Sequence, residues 1–356
     1  MRCLLAPSRG FAVRVGLIAT AGLALPLAAQ RVPSKPITEV RGERPRLTLT
    51  QVRRIGSEAG EHDAFGRIMS VALDSRGRVL VADDQNHRVA VFGADGRFAG
   101  YAGRKGEGPG ELESPWRVVV DAQDSIFVWD SNNARVSVFA PDLRFRRSFT
   151  LPPQWLVTSM DFLPDGRLLI AAYGKGEPGG LHVVSRAGRR ERTFGPRPPD
   201  VDLSGYEGSL LGGSADLAGA TIAYSNKSPY EITFFDLSGR TRSRCTGSRR
   251  WTTAPTAVVR LSRNAAALEW NRFVHSSRIV GLGNGFFLNQ VIDPVEDRTY
   301  FDLLTADCRL LRRVPFEDPL NIAARAGSRL AAVQTLEYPE VVVYEVRITN
   351  PTTEPR

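Results

Sequence analysis

The feature that most constrains the fold is an internal repeat in the first half of the chain. Residues Val71–Phe98 and Val118–Phe145 align at a constant offset of 47 residues without a gap, and 12 of the 28 aligned positions are identical. Both copies consist of short apolar runs separated by turns rich in Asp, Asn and Gly. Such runs predict β-strands, and self-similarity at a period of about 20–50 residues predicts a repeat architecture.

Each copy has the length and pattern of a small antiparallel sheet. The first copy predicts four strands, at Val71–Leu73, Val79–Ala82, Arg88–Phe92 and Phe98–Tyr101. Asp and Asn suit the turns between them, because their side chains bond nearby backbone and tolerate left-handed geometry. Units of roughly 40–50 residues with four strands each are typical of β-propellers, in which such sheets are arranged radially as blades.

Weaker copies of the unit follow along the rest of the chain. Each is recognised by the turn after its first strand, at Gly77, Asp124, Gly166, Gly219, Gly285 and Gly327. The third strands of the later units are predicted at Leu181–Val184, Glu231–Phe235, Thr299–Leu303 and Glu340–Val346. Two inserts, Gly195–Gly213 and Thr246–Ser276, lengthen the spacing between units. The sequence therefore predicts an all-β fold, a six-bladed β-propeller of four-stranded antiparallel blades.

One further strand has no unit of its own. Leu47–Ile55 alternates in polarity, while the last unit supplies only three strands before Thr349. We expect this N-terminal strand to complete the sixth blade by pairing with Glu340–Val346, so that the propeller spans residues 47–348. Such closure leaves no unpaired sheet edge where the two ends of the propeller meet.

The first 46 residues predict export. Residues 1–14 carry three arginines and no acid, and the uncharged stretch Val15–Ala29 follows. This pattern is typical of a signal peptide over residues 1–29, and the stretch is shorter than the roughly 20 residues of a transmembrane helix. The Pro-rich residues 30–46 predict a linker, and residues 349–356 a C-terminal tail. We therefore expect a secreted or periplasmic protein without a transmembrane anchor after signal cleavage.

Charge and cysteine content restrict the partners and the cross-links. The 356 residues include 47 Lys and Arg against 38 Asp and Glu, and the basic residues are scattered among acids. Nucleic acid is not an expected partner, because its binding requires a clustered basic surface. Cys245 and Cys308 remain after signal cleavage. Their repeat positions lie in different units and at different ends of the outer strands, so two separate thiols are predicted in preference to a disulfide.

Two hairpin sequences carry a family resemblance. Val81–Phe92 (VADDQNHRVAVF) and Val128–Phe139 (VWDSNNARVSVF) resemble the hairpins of NHL-repeat propellers. Gly103–Pro115 (GRKGEGPGELESP) is similar to the crossover loop of bacterial six-bladed proteins of this type. The resemblance is specific over about residues 65–145 and only architectural from residue 156 onward. It implies a surface that binds a ligand or a protein, with enzymatic activity in a minority of members.

Polar residues that recur in both clear copies are interpreted as scaffold. They are Asp83, Asn86 and Arg88 in the first unit and Asp130, Asn133 and Arg135 in the second. We expect each aspartate to brace its turn and each arginine, opposite it across the hairpin, to pair with it. The glycine-rich Gly103–Glu111 lacks the phosphate-loop pattern and is interpreted as a tight crossover between blades.

Residues that break the repeat on one face are the candidates for binding. Hairpins between second and third strands and crossovers between blades emerge on the same face of a propeller, around the channel mouth. The predicted ligand-binding residues on this face are Asp84, His87, Arg104, Lys105, Trp116, Arg117, Asn132, Tyr173 and Lys175. Mixed charge with Trp, Tyr and Arg suits recognition of another molecule. We expect a monomeric, non-enzymatic exported protein without a cofactor that binds a protein, peptide or carbohydrate.

An enzymatic alternative is a divalent-metal-dependent lyase or hydrolase at the channel mouth. His62, His87 and His275 could converge as a three-histidine zinc site, as in amidating-lyase relatives of NHL propellers. A calcium site is a second version, for which Glu61 and Asn132 are available at the rim. Within the second insert, Thr253–Phe273 shows helical spacing of apolar residues and is a candidate lid beside the channel mouth.

Overall fold

The computed structural model describes most of the chain in nine stretches. They are residues 32–42, 44–174, 176–196, 213–226, 230–247, 275–293, 298–316, 320–335 and 337–349. The predicted signal peptide, the predicted lid Thr253–Phe273 and all but the first residue of the predicted tail lie outside them. In these nine stretches, no helix has the length and apolar character required to cross a membrane.

Antiparallel sheets follow one another along the chain. Three N-terminal strands come first, which are β1 (Ser34–Pro36), β2 (Thr38–Glu39) and β3 (Arg46–Ile55). Blade 1 contains β4 (Ile68–Leu73), β5 (Val79–Asp83), β6 (Arg88–Phe92) and β7 (Phe98–Ala102). Blade 2 contains β8 (Pro115–Val120), β9 (Ile126–Asp130), β10 (Arg135–Phe139) and β11 (Phe145–Thr150). Blade 3 contains β12 (Leu156–Phe162), β13 (Leu168–Tyr173), β14 (Leu181–Val184) and β15 (Arg190–Phe194).

The second half of the chain continues the pattern. Blade 4 contains β16 (Ser214–Ala218), β17 (Thr221–Ser225), β18 (Glu231–Asp236) and β19 (Thr241–Thr246). Blade 5 contains β20 (His275–Gly283), β21 (Phe286–Asp293), β22 (Arg298–Thr305) and β23 (Arg309–Phe316). Blade 6 contains β24 (Leu320–Ala326), β25 (Arg329–Thr335) and β26 (Pro339–Thr349), with β3 as its fourth strand. The predicted six-bladed β-propeller is confirmed.

Apolar side chains fill the interfaces between neighbouring blades. The described residues form six buried clusters, one at each interface. Between blades 1 and 2, for example, Leu80 and Val91 pack with Val118 and Phe139. The second strand of a blade is covered on both faces, so every residue of β5 is buried. The outer strand β11 instead alternates between half-buried and exposed positions, as expected when only one face meets apolar neighbours.

The predicted ring closure is confirmed in register. β3 pairs antiparallel with β26 from Ile55 opposite Val341 to Arg46 opposite Thr349. Ile55 is buried in the cluster between blades 6 and 1. This pairing gives blade 6 its outer strand from the opposite end of the chain, so that no seam is left open between first and last blades.

Part of the segment predicted as a linker forms a strap across two blades. β1 pairs in parallel with β19, the outer strand of blade 4, and β2 pairs in parallel with β23, the outer strand of blade 5. Between them, the backbone N–H of Ile37 donates to the carbonyl of Thr246 at 2.7 Å. The strap covers outer edges that would otherwise present unpaired backbone groups.

Left-handed backbone marks the six predicted first turns. All six anchor residues have positive φ, between 58° at Gly327 and 82° at Gly166. Asp124 occupies one of them with φ 61°, and its carboxylate accepts hydrogen bonds from the backbone N–H and the hydroxyl of Ser75 in blade 1. A side chain thus stabilises, through a contact between blades, a conformation that usually favours glycine.

The recurring polar residues act as scaffold, with one difference from the prediction. Asp130 is fully buried and accepts from the N–H groups of Glu113 and Ser114 and from the amide of Asn133. The bonds described for Arg135 do not include the predicted pairing with Asp130. Its guanidinium donates instead to three carbonyls of the crossover, including that of Gly108 at 2.8 Å. Asp130 already accepts from two backbone N–H groups and one amide, so it is stabilised without the arginine.

The prediction of two separate thiols is wrong. Cys245 in β19 and Cys308, in the turn before β23, form a disulfide with their Cα atoms 5.3 Å apart. The hydroxyl of Ser243 also reaches the carbonyl of Ala306, so this turn of blade 5 packs against the middle of β19. Each strand of a sheet is rotated by roughly 20–25° from the one before it. Because this twist accumulates across a blade, the outer strand β19 of blade 4 crosses the turn before β23 of blade 5. Cys245 and Cys308 therefore meet although they occupy different positions in their repeat units.

Candidate functional site

The six inner strands surround an axial channel, and the upper half of this channel is a concave site. The upper face carries the hairpins of second and third strands beside the starts of the inner strands, as the bond from Asp84 N–H to the Arg67 carbonyl shows. The cavity measures about 340 Å³. Residues from all six blades line it, including Ser70, Trp116, Arg117, Thr158, Ser214, Arg278 and Asn321.

A second cavity of about 330 Å³ lies further along the same channel. Its lining includes Leu73, Phe162 and Pro164, which are at or beyond the far ends of their inner strands. Arg117 and Arg278 line both cavities. Two guanidinium groups from blades 2 and 5 therefore mark the boundary between the upper and lower halves of the channel.

Arg117 is held in place by backbone carbonyls of three blades. Its Nε donates to the carbonyl of Thr158 at 2.9 Å, and its Nη1 donates to the carbonyls of Met69 at 3.1 Å and Trp116 at 2.8 Å. Burial, together with the nearby charge of Arg278, lowers the pKa of Arg117 to about 9. The side chain of Arg117 is therefore still protonated at neutral pH, although the positive charge of Arg278 lies nearby.

Arg278 has fewer partners than Arg117. Its Nε is buried and has no hydrogen-bond partner within the described stretches. On the side of the lower cavity, Arg278 lies near the carboxyl of Asp216. Burial and the charge of Asp161 raise the pKa of that carboxyl by more than the charge of Arg278 lowers it.

Asp161 and Asp216 form a carboxyl pair in the lower cavity. Each accepts the N–H of the residue that follows it, Phe162 at 2.7 Å and Leu217 at 2.6 Å. Burial, followed by the charge of Asp161 and a hydrogen bond with it, raises the pKa of Asp216 well above its usual value. Two carboxyls that bond to each other share one proton, and the raised pKa of Asp216 keeps that proton on the pair over a wider pH range.

The substitution Asp216→Asn should stabilise the protein at neutral pH. The native state binds the Asp216 proton more tightly than the unfolded chain, whose usual carboxyl value is 3.8. Stability must therefore fall as the pH rises from about 4 through the folded pKa, and the asparagine variant lacks this slope. We expect a gain in the free energy of unfolding at pH 7 that shrinks towards pH 4, where the carboxyl of the unfolded chain also becomes protonated.

Urea unfolding between pH 4 and pH 8 measures this effect. The exposed Asp95, which also accepts a backbone N–H at its turn, provides the matched control as Asp95→Asn. An unchanged pH dependence in Asp216→Asn, equal to that of the control, would contradict the shared proton.

Among the predicted ligand-binding residues, the structure places Trp116 and Arg117 in the lining of the upper cavity. The guanidinium of Arg117 lies 5.7 Å from the centre of the Trp116 ring. Three others lie exposed on the rim, namely Arg104, Lys105 and Asn132. Arg104 is paired there with Glu111 at 3.0 Å. Lys175 lies outside the described residues.

The remaining predicted ligand-binding residues are engaged within the protein. Asp84 is buried and accepts bonds from Arg67 and from the hydroxyl of Ser114. The Tyr173 hydroxyl bonds that of Tyr224, and burial raises its pKa. The Nδ1 of His87 lies 2.6 Å from the carbonyl of Glu113, to which it donates as an N–H.

Of the three histidines in the metal hypothesis, His62 and His87 have separate partners, and the side chain of His275 lies outside the described part of the chain. His62 stacks on Phe98 with the ring centres 3.9 Å apart, and its Nδ1 bonds the hydroxyl of Tyr101 in the outer strand of blade 1. His87 has the separate partner described above, and His275 begins β20. No group of three His, Cys, Asp or Glu side chains able to hold a metal ion occurs among the described residues.

The crossover Gly103–Glu111 is closed by its own hydrogen bonds. The N–H of Gly106 donates to the carbonyl of Leu112, and the N–H of Leu112 donates back to Arg104. The carboxylate of Glu111 accepts the N–H of Gly108 at 2.9 Å. These bonds use the N–H groups that a phosphate loop would offer, in agreement with a structural crossover.

Four charged residues that line the channel were not singled out from the sequence. They are Asp161, Asp216, Arg278 and Arg325, each contributed by an inner strand of blades 3 to 6, where the repeat is faint. One signal was present, because Arg278 directly precedes Ile279-Val280 as Arg117 directly precedes Val118-Val119. An arginine beside an apolar inner-strand run marks a side chain that faces the channel instead of a neighbouring blade.

Comparison with known proteins gives a fold and no activity. The DUF5128 family model, described as a 6-bladed beta-propeller, matches residues 55–161. No curated protein matches the sequence. The matched segment covers blades 1 and 2 and most of the first strand of blade 3, where the repeat is clearest.

Solved structures share the architecture over most of the chain. A Bacteroides fragilis protein whose name describes it as exported has 13% identity and a TM-score of 0.62, over 89% of this chain and 99% of that one. A Bacteroides vulgatus member of the duf4221 family has the same identity and TM-score, over 85% and 99%. The aldose sugar dehydrogenase of Streptomyces coelicolor has 12% identity and a TM-score of 0.51, over 86% and 100%. At these identities the likeness shows that the chain shares their fold.

Proposed function

We propose that the protein is an exported, non-catalytic β-propeller that binds a carbohydrate at the upper mouth of its axial channel. The observation that carries the proposal is the cavity of about 340 Å³ lined by Trp116 together with charged, hydroxyl and amide groups. Its volume lies within the roughly 300–1,000 Å³ of small-ligand pockets.

Three features support export. The first 29 residues have the pattern of a signal peptide. The Cys245–Cys308 disulfide is of a kind that persists in oxidising compartments. A solved structure with the same fold carries a name that describes it as exported. We also infer an NHL-type origin for blades 1 and 2 from their hairpin sequences.

The lining of the cavity favours carbohydrate over the other predicted ligand classes. Protein partners usually bind over broad patches of roughly 800 Å² per side, whereas this site is concave and narrow. The half-buried indole of Trp116 offers an apolar face, and Ser70, Ser277 and Asn321 offer donors and acceptors around it. An aromatic face beside hydroxyl and amide groups matches a sugar ring, which has apolar C–H faces and a polar edge.

An array of bacterial and plant oligosaccharides tests the proposed function. We expect binding by the protein without residues 1–29, and a loss of affinity of about tenfold or more in Trp116→Ala, since a central aromatic contact contributes at that level. The rim residue Asn132 supplies the control as Asn132→Ala, which should bind like the parent protein.

Thermal melts of both variants show whether the fold is retained, because Trp116 also packs against the cluster between blades 2 and 3. Binding that survives in a folded Trp116→Ala protein would contradict the proposed site. A parent protein that binds no oligosaccharide but captures a protein or peptide would contradict the ligand class.

A further inference from the structure

The two channel arginines come from opposite sides of the ring. Arg117 belongs to blade 2 and Arg278 to blade 5, which is three blades away. Both line the upper cavity, in which Trp116 is the aromatic side chain. A ligand that enters past Trp116 therefore meets two guanidinium groups at the inner end of the cavity.

Charge in the channel is not balanced by the residues that line it. Arg117 and Arg278 contribute two positive charges, and the Asp161–Asp216 pair offsets one of them while it holds its shared proton. Arg325 adds a further cation in the lower cavity, where it donates to the carbonyl of Gly327. The excess is positive, which attracts an anionic group.

The hydrogen-bonding groups also favour a planar anion. Arg117 commits Nε and Nη1 to carbonyls of the protein, so that its position is fixed before a ligand arrives. The Nε of Arg278 is buried, so the Nη1–Nη2 end of the guanidinium is the part left to face the cavity. That end offers one N–H from each Nη, and a carboxylate accepts both of them with its two oxygens.

We propose that Arg117 and Arg278 form a receptor for the carboxylate of an acidic saccharide, with Arg278 as the bidentate donor and Arg117 as the fixed second charge. This inference rests on the proposed function and adds to it the class of sugar, a uronic acid. In this arrangement the sugar ring lies beside Trp116 and its carboxylate points along the channel towards the lower cavity.

A matched series of sugars tests the inference. Glucuronate, glucose and glucose 6-phosphate differ only at C6, which is the carbon of a carboxylate, of a hydroxymethyl group or of a phosphorylated hydroxymethyl group. Titration calorimetry and the Nε–H resonances of the arginine side chains by NMR give affinity and location. We expect glucuronate to bind at least about tenfold more tightly than the other two and to shift the Arg278 Nε–H resonance.

Variants of Arg278 separate charge from geometry. In Arg278→Gln the preference for glucuronate over glucose should disappear, and in Arg278→Lys it should fall to an intermediate value, because lysine keeps the charge without the fork. Arg97→Gln is the matched control, since that side chain is 90% exposed on the outer part of blade 1. Melting temperatures of all three variants establish that they fold.

Each result discriminates between the inference and the function on which it rests. Neutral oligosaccharides that bind through Trp116 with no preference for glucuronate would overturn the carboxylate receptor and leave the proposed function standing. Tighter binding of glucose 6-phosphate would overturn the selection of a planar carboxylate over a phosphate. An Arg278 resonance that shifts with acetate and glucuronate, in a protein that binds no oligosaccharide, would support the receptor and refute carbohydrate binding.

Discussion

A chain that begins at Gly56 should fail to fold, whereas a chain that begins at Arg46 should fold. The difference between the two is β3 alone. This strand pairs with β26 at nine positions from Arg46 to Ile55 and supplies the outer edge of blade 6. At about 0.5–1.5 kcal/mol for each backbone hydrogen bond, its loss removes roughly 5–10 kcal/mol, which is comparable to the total stability of a folded domain.

Packing adds to the loss of hydrogen bonds. Ile55 is buried among the side chains between blades 6 and 1, and Leu47 and Leu49 pack on the cluster between blades 5 and 6. Without β3, these apolar surfaces and the edge of β26 become accessible to other chains, so aggregation should accompany unfolding.

The chain starting at Arg46 is the control, because it lacks only the strap formed by β1 and β2. Circular dichroism melts and size-exclusion chromatography of both chains, with residues 32–356 as reference, measure the outcome. A synthetic peptide of residues 46–55 should restore folding to the shorter chain. A Gly56 chain that elutes as a monomer and melts within a few degrees of the reference would contradict the role of β3 in closure.

The architecture was predictable because the turns of a propeller repeat even where its strands diverge. A left-handed residue is required after each inner strand, and the six predicted anchors include five glycines and one aspartate. His87 and Ala134, which are 47 residues apart, also share positive φ values of 53° and 47°. The left-handed turns thus restrict the residue type at regular intervals along the chain. This regular spacing can be read from one sequence.

The candidate site was only half predictable, since its residues occur once each and break the repeat. Trp116 and Arg117 lie in blade 2, where alignment with blade 1 shows which residues begin an inner strand. Arg278 and Asp216 lie in blades whose inner strands could be located only by a turn glycine. Asp216 and Arg278 are about 60 positions apart along the chain. They meet at the axis only because the blades are arranged as a ring, which the sequence around each residue does not show.

Tyr173 shows that the strand on which a residue lies does not by itself give the direction of its side chain. It lies at the end of β13 on the predicted binding face, yet its ring is buried and its hydroxyl bonds Tyr224 and the N–H of Gly213. The repeat predicts the face on which a strand ends but not whether a side chain there points towards solvent or towards the next blade. The facing residue, contributed by the neighbouring blade, decides that.

Removal of the Cys245–Cys308 disulfide should cost about 4 kcal/mol of stability, because the bond closes a loop with a sequence separation of 63 residues. The loop contains the three inner strands of blade 5, so its closure restricts the unfolded chain over almost a whole blade. For a protein of this size, such a loss lowers the melting temperature by roughly 6–10 °C.

Cys245→Ala/Cys308→Ala is the appropriate variant, because both positions are buried among apolar side chains and serine would leave hydroxyl groups there. The fold should survive, since blades 4 and 5 are also joined by the hydrogen bond from the Tyr230 hydroxyl to Asp302 and by the strap. The axial cavity should keep its ligand affinity, because its lining comes from the inner strands and the disulfide joins outer ones.

Differential scanning calorimetry of the native protein, with and without reductant, checks the expectation independently of substitution. Mass spectrometry after alkylation establishes that the thiols are free in the reduced sample. Reduction should lower the melting temperature of the native protein by the same amount as the double substitution and should leave the variant unaffected. If the fully reduced native protein melts at the temperature of the oxidised one, the disulfide between blades 4 and 5 contributes nothing to stability, and the apolar cluster, the strap and the hydrogen bonds between these blades hold that interface without it.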